Sequence, residues 1–228
     1  MSLSDQNKTI LRTSAGDYPL NQYCLRANGR EWNILHVSAV LSHEEENRFL
    51  LELSELLPYG VTLWTSAIGL AHDVAARDRA FRGKRILELG SGTGLPGIVA
   101  ATFGARVLQT DRNELALSVG KRNIALNGIE TIEQRVVDWT SWNDTEKYDW
   151  IIGSDILYGE EMHRHLRRIF ETNLAPGGKI LLSDPFRSTS FKLLEALEAD
   201  GWSIKISKWN IGEESSPRSI GVFELSLL

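Results

Sequence analysis

From Arg82 to Asp200 the chain keeps one rhythm, a short apolar run followed by a stretch of helical periodicity. Strand cores are predicted at Arg85–Leu89, Arg106–Thr110, Glu133–Val137, Trp150–Ser154 and Lys179–Ser183. Helices are predicted at Gly97–Thr102, Glu114–Leu126, Glu161–Asn173 and Phe191–Asp200. Strands that are apolar nearly throughout have no face to give to water, so their alternation with helices calls for a parallel sheet covered on both sides. In the third helix Met162, Leu166, Ile169 and Phe170 form one stripe, with acids leading and Arg167 and Arg168 late, as the helix dipole favours. The rhythm then breaks. Trp202–Lys208 and Ser219–Leu225 are two strand patterns with only a loop between them, which adds an antiparallel hairpin to an α/β sheet.

The first 60 residues read differently and are expected to form an extension packed on a domain of residues 61–228, the whole being one folded unit. Tyr23 to Val37 alternates around Asn28-Gly29, a pair suited to the two positive-φ sites of a type I′ hairpin turn. A helix is expected from His43 to Leu57, with Ser42 and Glu45 forming a capping box and Pro58 ending it.

The densest chemical signal is Ile86-Leu87-Glu88-Leu89-Gly90-Ser91-Gly92-Thr93-Gly94, a buried strand that ends in a carboxylate and a glycine-spaced turn. Glycines let the backbone bend sharply against a ligand, and the following helix, with Pro96 in its first turn, offers free N–H groups. Two registers fit. Gly92-x-Gly94-x-x-Gly97 satisfies the dinucleotide pattern. The alternative, Glu88-x-Gly90-x-Gly92-x-Gly94, resembles motif I of class I S-adenosylmethionine-dependent methyltransferases, and Asp111 at the end of the second strand would serve either cofactor. Asp138-Trp139 after the third strand, the Ala175–Leu181 turn and the closing hairpin favour the methyltransferase.

Gly60–Ala67, Gly94–Ala100 and Ser154-Asp155-Ile156-Leu157-Tyr158 narrow this further. Together they resemble methyltransferase family 16, the seven-β-strand protein methyltransferases marked by D-x-x-Y after the fourth strand. Leu182–Arg187 is similar to the branch that methylates the β subunit of electron-transfer flavoprotein. The resemblance implies a Rossmann-like seven-stranded sheet, S-adenosylmethionine as cofactor and a protein lysine as acceptor. It places Trp64 on the adenosine pocket, with Gly90, Ser91, Gly92 and Gly94 around the methionine end. Glu88 would contact the cofactor ammonium directly or through water, Asp111 the ribose, Asp138 and Trp139 the adenine, and Ser154 would offer backbone contacts beside the sulfonium. Asp155 and Tyr158 would face the nucleophile, Asp155 as an acceptor for its N–H bonds.

Composition removes other classes. With 25 Lys+Arg against 30 Asp+Glu the net charge is −5, so no general attraction to nucleic acid is built in, and the D-P-P-Y motif of nucleic-acid methyltransferases is absent. The lone Cys24 excludes a disulfide framework, and no metal site is expected. No apolar run reaches the ~20 residues of a membrane span, and Met1–Asn7 carries no apolar signal core. The expected setting is cytoplasmic, with a protein substrate and neither nucleic acid nor membrane as partner. A small-amine or protein-histidine methyltransferase, a non-catalytic cofactor-binding module and a nicotinamide dehydrogenase stand as rivals.

Overall fold

The computed structural model describes residues 10–13, 16–53, 59–212 and 217–227. Two hairpins lead: β1 (Ile10–Thr13) with β2 (Gly16–Pro19), and β3 (Asn21–Ala27) with β4 (Arg30–His36). Asn28 and Gly29 have φ of +49° and +69°, the two positive values that the expected turn requires. Next come β5 (Ser38–Val40) and α1 (His43–Arg48), where Ser42 and Glu45 make the anticipated capping box. The expected helix to Leu57 is α-helical only to Arg48; Phe49–Leu53 is a π-helical turn, and 54–58 lie outside the described residues.

The remainder is β6 (Thr62–Trp64), α2 (Thr65–Ala76), α3 (Asp78–Phe81), β7 (Arg85–Leu89), α4 (Leu95–Thr102), β8 (Arg106–Asp111), α5 (Glu114–Leu126), β9 (Ile132–Val136), β10 (Tyr148–Ser154), α6 (Glu160–Asn173), β11 (Leu174–Asp184), α7 (Ser188–Ala199), β12 (Trp202–Ile211) and β13 (Arg218–Leu227). Seven strands form one sheet in the order β12-β13-β11-β10-β7-β8-β9. Five are parallel, and β13 runs antiparallel to both β11 and β12. The α/β sheet with its closing hairpin is as expected. Alternate strand residues feed two cores: Ile86, Val107 and Ile152 pack with α2 and α4 on one face, while Leu87, Ile151 and Leu182 pack with α6 and α7 on the other.

One strand departs from its reading. The sequence pattern predicts an apolar buried strand over Glu133–Val137, yet β9 is the sheet edge and Glu133, Arg135 and Val136 are exposed. Charged residues there block pairing with a stray strand, which an edge needs and an interior strand does not.

Strand order reverses between β7 and β10, which are neighbours and continue in opposite directions across the sheet. Loops leaving their carboxyl ends part there, and the crevice between them is where ligands settle in open α/β sheets. Both the glycine loop and Asp155-x-x-Tyr158 begin at this crevice.

Candidate active site

Gly90, Gly92 and Gly94 all have positive φ, at +61°, +52° and +83°. The turn is tight as well as left-handed: a Cβ on Gly90 would stand 2.9 Å from Ile156 Cγ2 and 3.4 Å from the Trp139 ring, and one on Gly92 3.2 Å from the Gly60 carbonyl. Asp111 fastens the loop from β8. Its Oδ2 accepts from the Gly92 N–H at 3.0 Å and its Oδ1 from the Asn113 N–H at 2.9 Å. Burial raises the Asp111 pKa, against the opposing pull of those N–H donors.

Glu88 sits beneath the loop. Only 2% exposed, it accepts from the Gly97 N–H at 3.1 Å and from Gln109 Nε2 at 2.8 Å. Alternation along β7 sends it to the α4 side with Ile86, where it ties the loop to the start of α4. Burial pushes its pKa up to about 8, although Gln109 and the Gly97 N–H favour the anion.

Across the crevice, Trp64 caps α2 and is half-buried. Its ring stacks on Tyr59 at 5.8 Å and meets Phe49 edge-on at 5.3 Å, while its Nε1 donates to the Tyr59 carbonyl. The first turn of α2 has no side-chain cap. Among the described residues Thr62 Oγ1, Thr65 Oγ1 and Ser91 Oγ are buried without a hydrogen-bond partner. Buried hydroxyls are rarely left so, and each is a place where a bound molecule would be read. Trp139 lies against Gly90. Asp138 is exposed and caps the turn that follows, accepting at Oδ1 from the Thr140 N–H and hydroxyl. Those bonds hold its pKa down and bind Oδ1 locally rather than toward a ligand.

Ser154 ends β10 and pairs with Ser183 of β11. Asp155, next along, has a φ of +56°, uncommon for a side chain that is not glycine, and its N–H donates to the Ser183 carbonyl at 2.9 Å. The Asp155 side chain is 10% exposed and is ion-paired at Oδ1 to Arg187 Nη1. Arg187 also reaches Asp184 Oδ2 at 3.1 Å and Glu46 Oε1 at 3.2 Å, and Glu46 holds the buried Arg218. Burial raises the Asp155 pKa; Arg187 pulls it down, Asp184 pushes it up and the Ser66 hydroxyl lowers it. Asp155 is not a helix cap, because Gly159 occupies that position in α6. Tyr158 is 57% exposed at the mouth, with Asp155 and Tyr59 near enough to act on its hydroxyl.

The fold thus gathers Gly90, Ser91, Gly92, Gly94, Asp111 and Trp139 on one lip and Ser154, Asp155 and Tyr158 on the other, with Trp64 closing one end. Sequence reasoning missed Arg187, Glu46 and Arg218 as members of the site. Arg187 was quoted within Leu182–Arg187, but nothing local ties it to Asp155, 32 residues earlier.

Residues 44–195 match a family model described as "Lysine methyltransferase", methyltransferase family 16. The chain is 33% identical over 136 residues to "Protein N-lysine methyltransferase METTL21A" of Xenopus tropicalis, covering 58% of this chain and 63% of that protein. It is 34% identical over 134 residues to "Calmodulin-lysine N-methyltransferase" of Arabidopsis thaliana, covering 55% of this chain and 43% of that protein. The matches therefore span less than two thirds of either relative. Among solved structures, magnesium protoporphyrin IX methyltransferase of Synechocystis PCC 6803 with bound SAM has the same fold, with a TM-score of 0.56 at 17% identity over 71% of this chain and 79% of that one.

Proposed function

The chain belongs to the lysine methyltransferase family whose model spans its residues 44–195, and from that premise we propose that it transfers a methyl group from S-adenosylmethionine to a lysine side chain of a protein. One observation carries the reading. The glycine loop and the D-x-x-Y segment open from adjacent strands β7 and β10, at the point where the strand order of the sheet reverses and open α/β sheets hold their ligands. The residues fit the cofactor: positive-φ glycines leave no side chain over the loop, and Thr65 and Ser91 have unused hydrogen-bonding capacity.

S-adenosylmethionine supplies an electrophilic methyl carbon on a sulfonium. The protein's task is to place a lysine nitrogen in line with it, and orientation of this kind is worth ~7–11 kcal/mol of barrier. A lysine of pKa ~10.4 needs about 4.6 kcal/mol to lose its proton at pH 7. Asp155 is the group to orient it, accepting the nitrogen's remaining N–H bonds at its carboxylate. Arg187 keeps that carboxylate ionised and turned to the mouth. Tyr158 and Tyr59 wall the entrance, where an aliphatic stem slides between rings.

Offering the protein to a lysate with methyl-labelled donor tests this. Labelled methyl-lysine in a protein band is expected, and Asp155→Asn should cut the rate at least 100-fold while S-adenosylhomocysteine binds within about threefold of wild type. Label confined to free amines, or to histidine or arginine, would overturn the lysine assignment. Leu182–Arg187 supports a finer placement, in the branch acting on the β subunit of electron-transfer flavoprotein, so that protein is the first purified acceptor to offer. We place the reaction in the cytoplasm, a reducing compartment that suits a chain with a lone cysteine; among the described residues no helix is long and apolar enough to cross a membrane. We read residues 1–60 as an extension integral to the domain of residues 61–228, since β5 pairs with β6 across that division.

A further inference from the structure

The hairpin β3–β4 lies outside the family match, yet it is bonded to the cofactor loop through one side chain. In a two-residue hairpin, alternate residues of each strand turn their N–H and C=O away from the partner strand. On β4 those outward groups include Asn33 and Leu35, and no strand of the sheet pairs with them. Asn123 of α5 and Asn127, the C-cap of that helix, take the place of a strand. Asn123 accepts from the Leu35 N–H at 2.7 Å and donates to the Leu35 carbonyl at 3.0 Å. Asn127 accepts from the Asn33 N–H at 3.0 Å and donates to the Asn33 carbonyl at 2.8 Å. The spacing explains why this works: two residues of strand advance about 6.6 Å and four residues of helix about 6 Å.

The two asparagines differ in their remaining bond. Asn127 turns its second N–H back to the Asn123 carbonyl, within its own helix. Asn123, which is fully buried, sends its second N–H to the carbonyl of Thr93 at 2.9 Å, in the glycine loop. Gln109 likewise holds the Gly94 carbonyl at 3.0 Å. The carbonyls of Thr93 and Gly94 are thus pinned from below, and the Gly94 N–H closes the turn on the Ser91 carbonyl at 2.7 Å, so the shape of the loop depends on these ties. We propose that Asn123 is a positioning residue for the cofactor, and that through it the β3–β4 hairpin forms part of the glycine loop's support. This rests on the proposed cofactor reading and adds a residue and an element to it.

The test compares Asn123→Ala with Asn127→Ala. Each removes two side-chain hydrogen bonds at the helix–hairpin seam and a third elsewhere, which goes to the loop in the first and back into the helix in the second. Both should lower the melting temperature by a similar amount. S-adenosylhomocysteine affinity, measured by calorimetry, should fall about tenfold or more in Asn123→Ala and stay within twofold in Asn127→Ala. Asn123→Gln, which keeps the carboxamide, should recover part of the loss. Hydrogen exchange without ligand gives an independent arm. Asn123→Ala should speed exchange at residues 33–35 and 91–95 together, and Asn127→Ala at residues 33–35 alone. Equal affinity losses in the two variants, or faster exchange confined to the hairpin in both, would overturn the proposal. Failure of wild type to bind S-adenosylhomocysteine would sink the cofactor reading instead, and the exchange arm would still decide the link between hairpin and loop.

Discussion

The two lips of the crevice are built from different bonds. On the loop side the ties run between backbone and buried acceptors or carboxamides: Gly92 to Asp111, Gly97 to Glu88, Gly94 to Gln109 and Thr93 to Asn123. No cation takes part in them. On the Asp155 side the ties are between charges, with Arg187 shared by Asp155, Asp184 and Glu46, and Glu46 held in turn by Arg218. A backbone turn fixed by neutral donors has one geometry and suits a ligand that never varies. A set of ion pairs can exchange one cation for another, which suits a lip that must admit an ammonium from a different molecule. The contrast also divides their sensitivities: shape should govern the first lip, and pH the second.

The strongest way to break that division is to attack shape. Gly90→Val places a branched side chain at a φ of +61°, with its Cβ 2.9 Å from Ile156. Backbone strain of ~1–3 kcal/mol adds to that clash, so S-adenosylhomocysteine affinity should drop about 100-fold while circular dichroism shows the fold retained. Binding within threefold of wild type would mean that the loop is not the ligand's seat.

These lips were unequally legible in the sequence. The loop was plain because its signal is local: an apolar strand, glycines at fixed spacing, and a proline in the next helical turn. The Asn28-Gly29 hairpin was plain for the same reason. Helix α2 was invisible because ten of its twelve residues are buried, so it has no polar face to give a period. The edge strand β9 misled in the opposite sense, since three of its five residues are charged or amide-bearing and still pair with β8. Of the charged lip only Asp155-x-x-Tyr158 was legible; the cations were not, because Glu46, Asp155, Asp184, Arg187 and Arg218 meet only after the sheet has ordered its strands. Glu88 was legible as the acid that ends β7, but not its ties to Gln109 and the Gly97 N–H, since Gln109 stands 21 residues further on and meets it only across two paired strands.

A milder change sharpens the comparison from the other lip. Arg187→Met leaves Asp155 and Asp184 at neighbouring strand ends without their cation. Arg187 lowers the Asp155 pKa, so its loss must raise it further. If the carboxylate is the working form, the acid limb of the rate profile moves to higher pH, by about one to three units. The affinity for S-adenosylhomocysteine at pH 8 should hardly change. A profile that falls in height without shifting would make Arg187 a purely structural tie, and the lip would lose its pH dependence as a distinguishing mark.

The smallest effect is expected where an ionisable group intrudes on the neutral lip. Glu88 has its pKa raised from the ordinary value of 4.5 to about 8 by burial, so the folded chain holds its proton more tightly than the unfolded chain. Its contribution to stability is therefore complete below about pH 4.5 and is lost as pH rises through about 8. Glu88→Gln removes that titration. The melting temperature of wild type should fall more steeply between pH 6 and 9 than that of the variant, whatever offset the lost Gln109 geometry introduces at a single pH. Parallel curves would mean that Gln109 and the Gly97 N–H keep the carboxylate charged throughout, and that the loop is held by an anion after all. Its stability would then respond to an added positive charge beneath β7, and the two lips would differ in the partners of their charges rather than in having them.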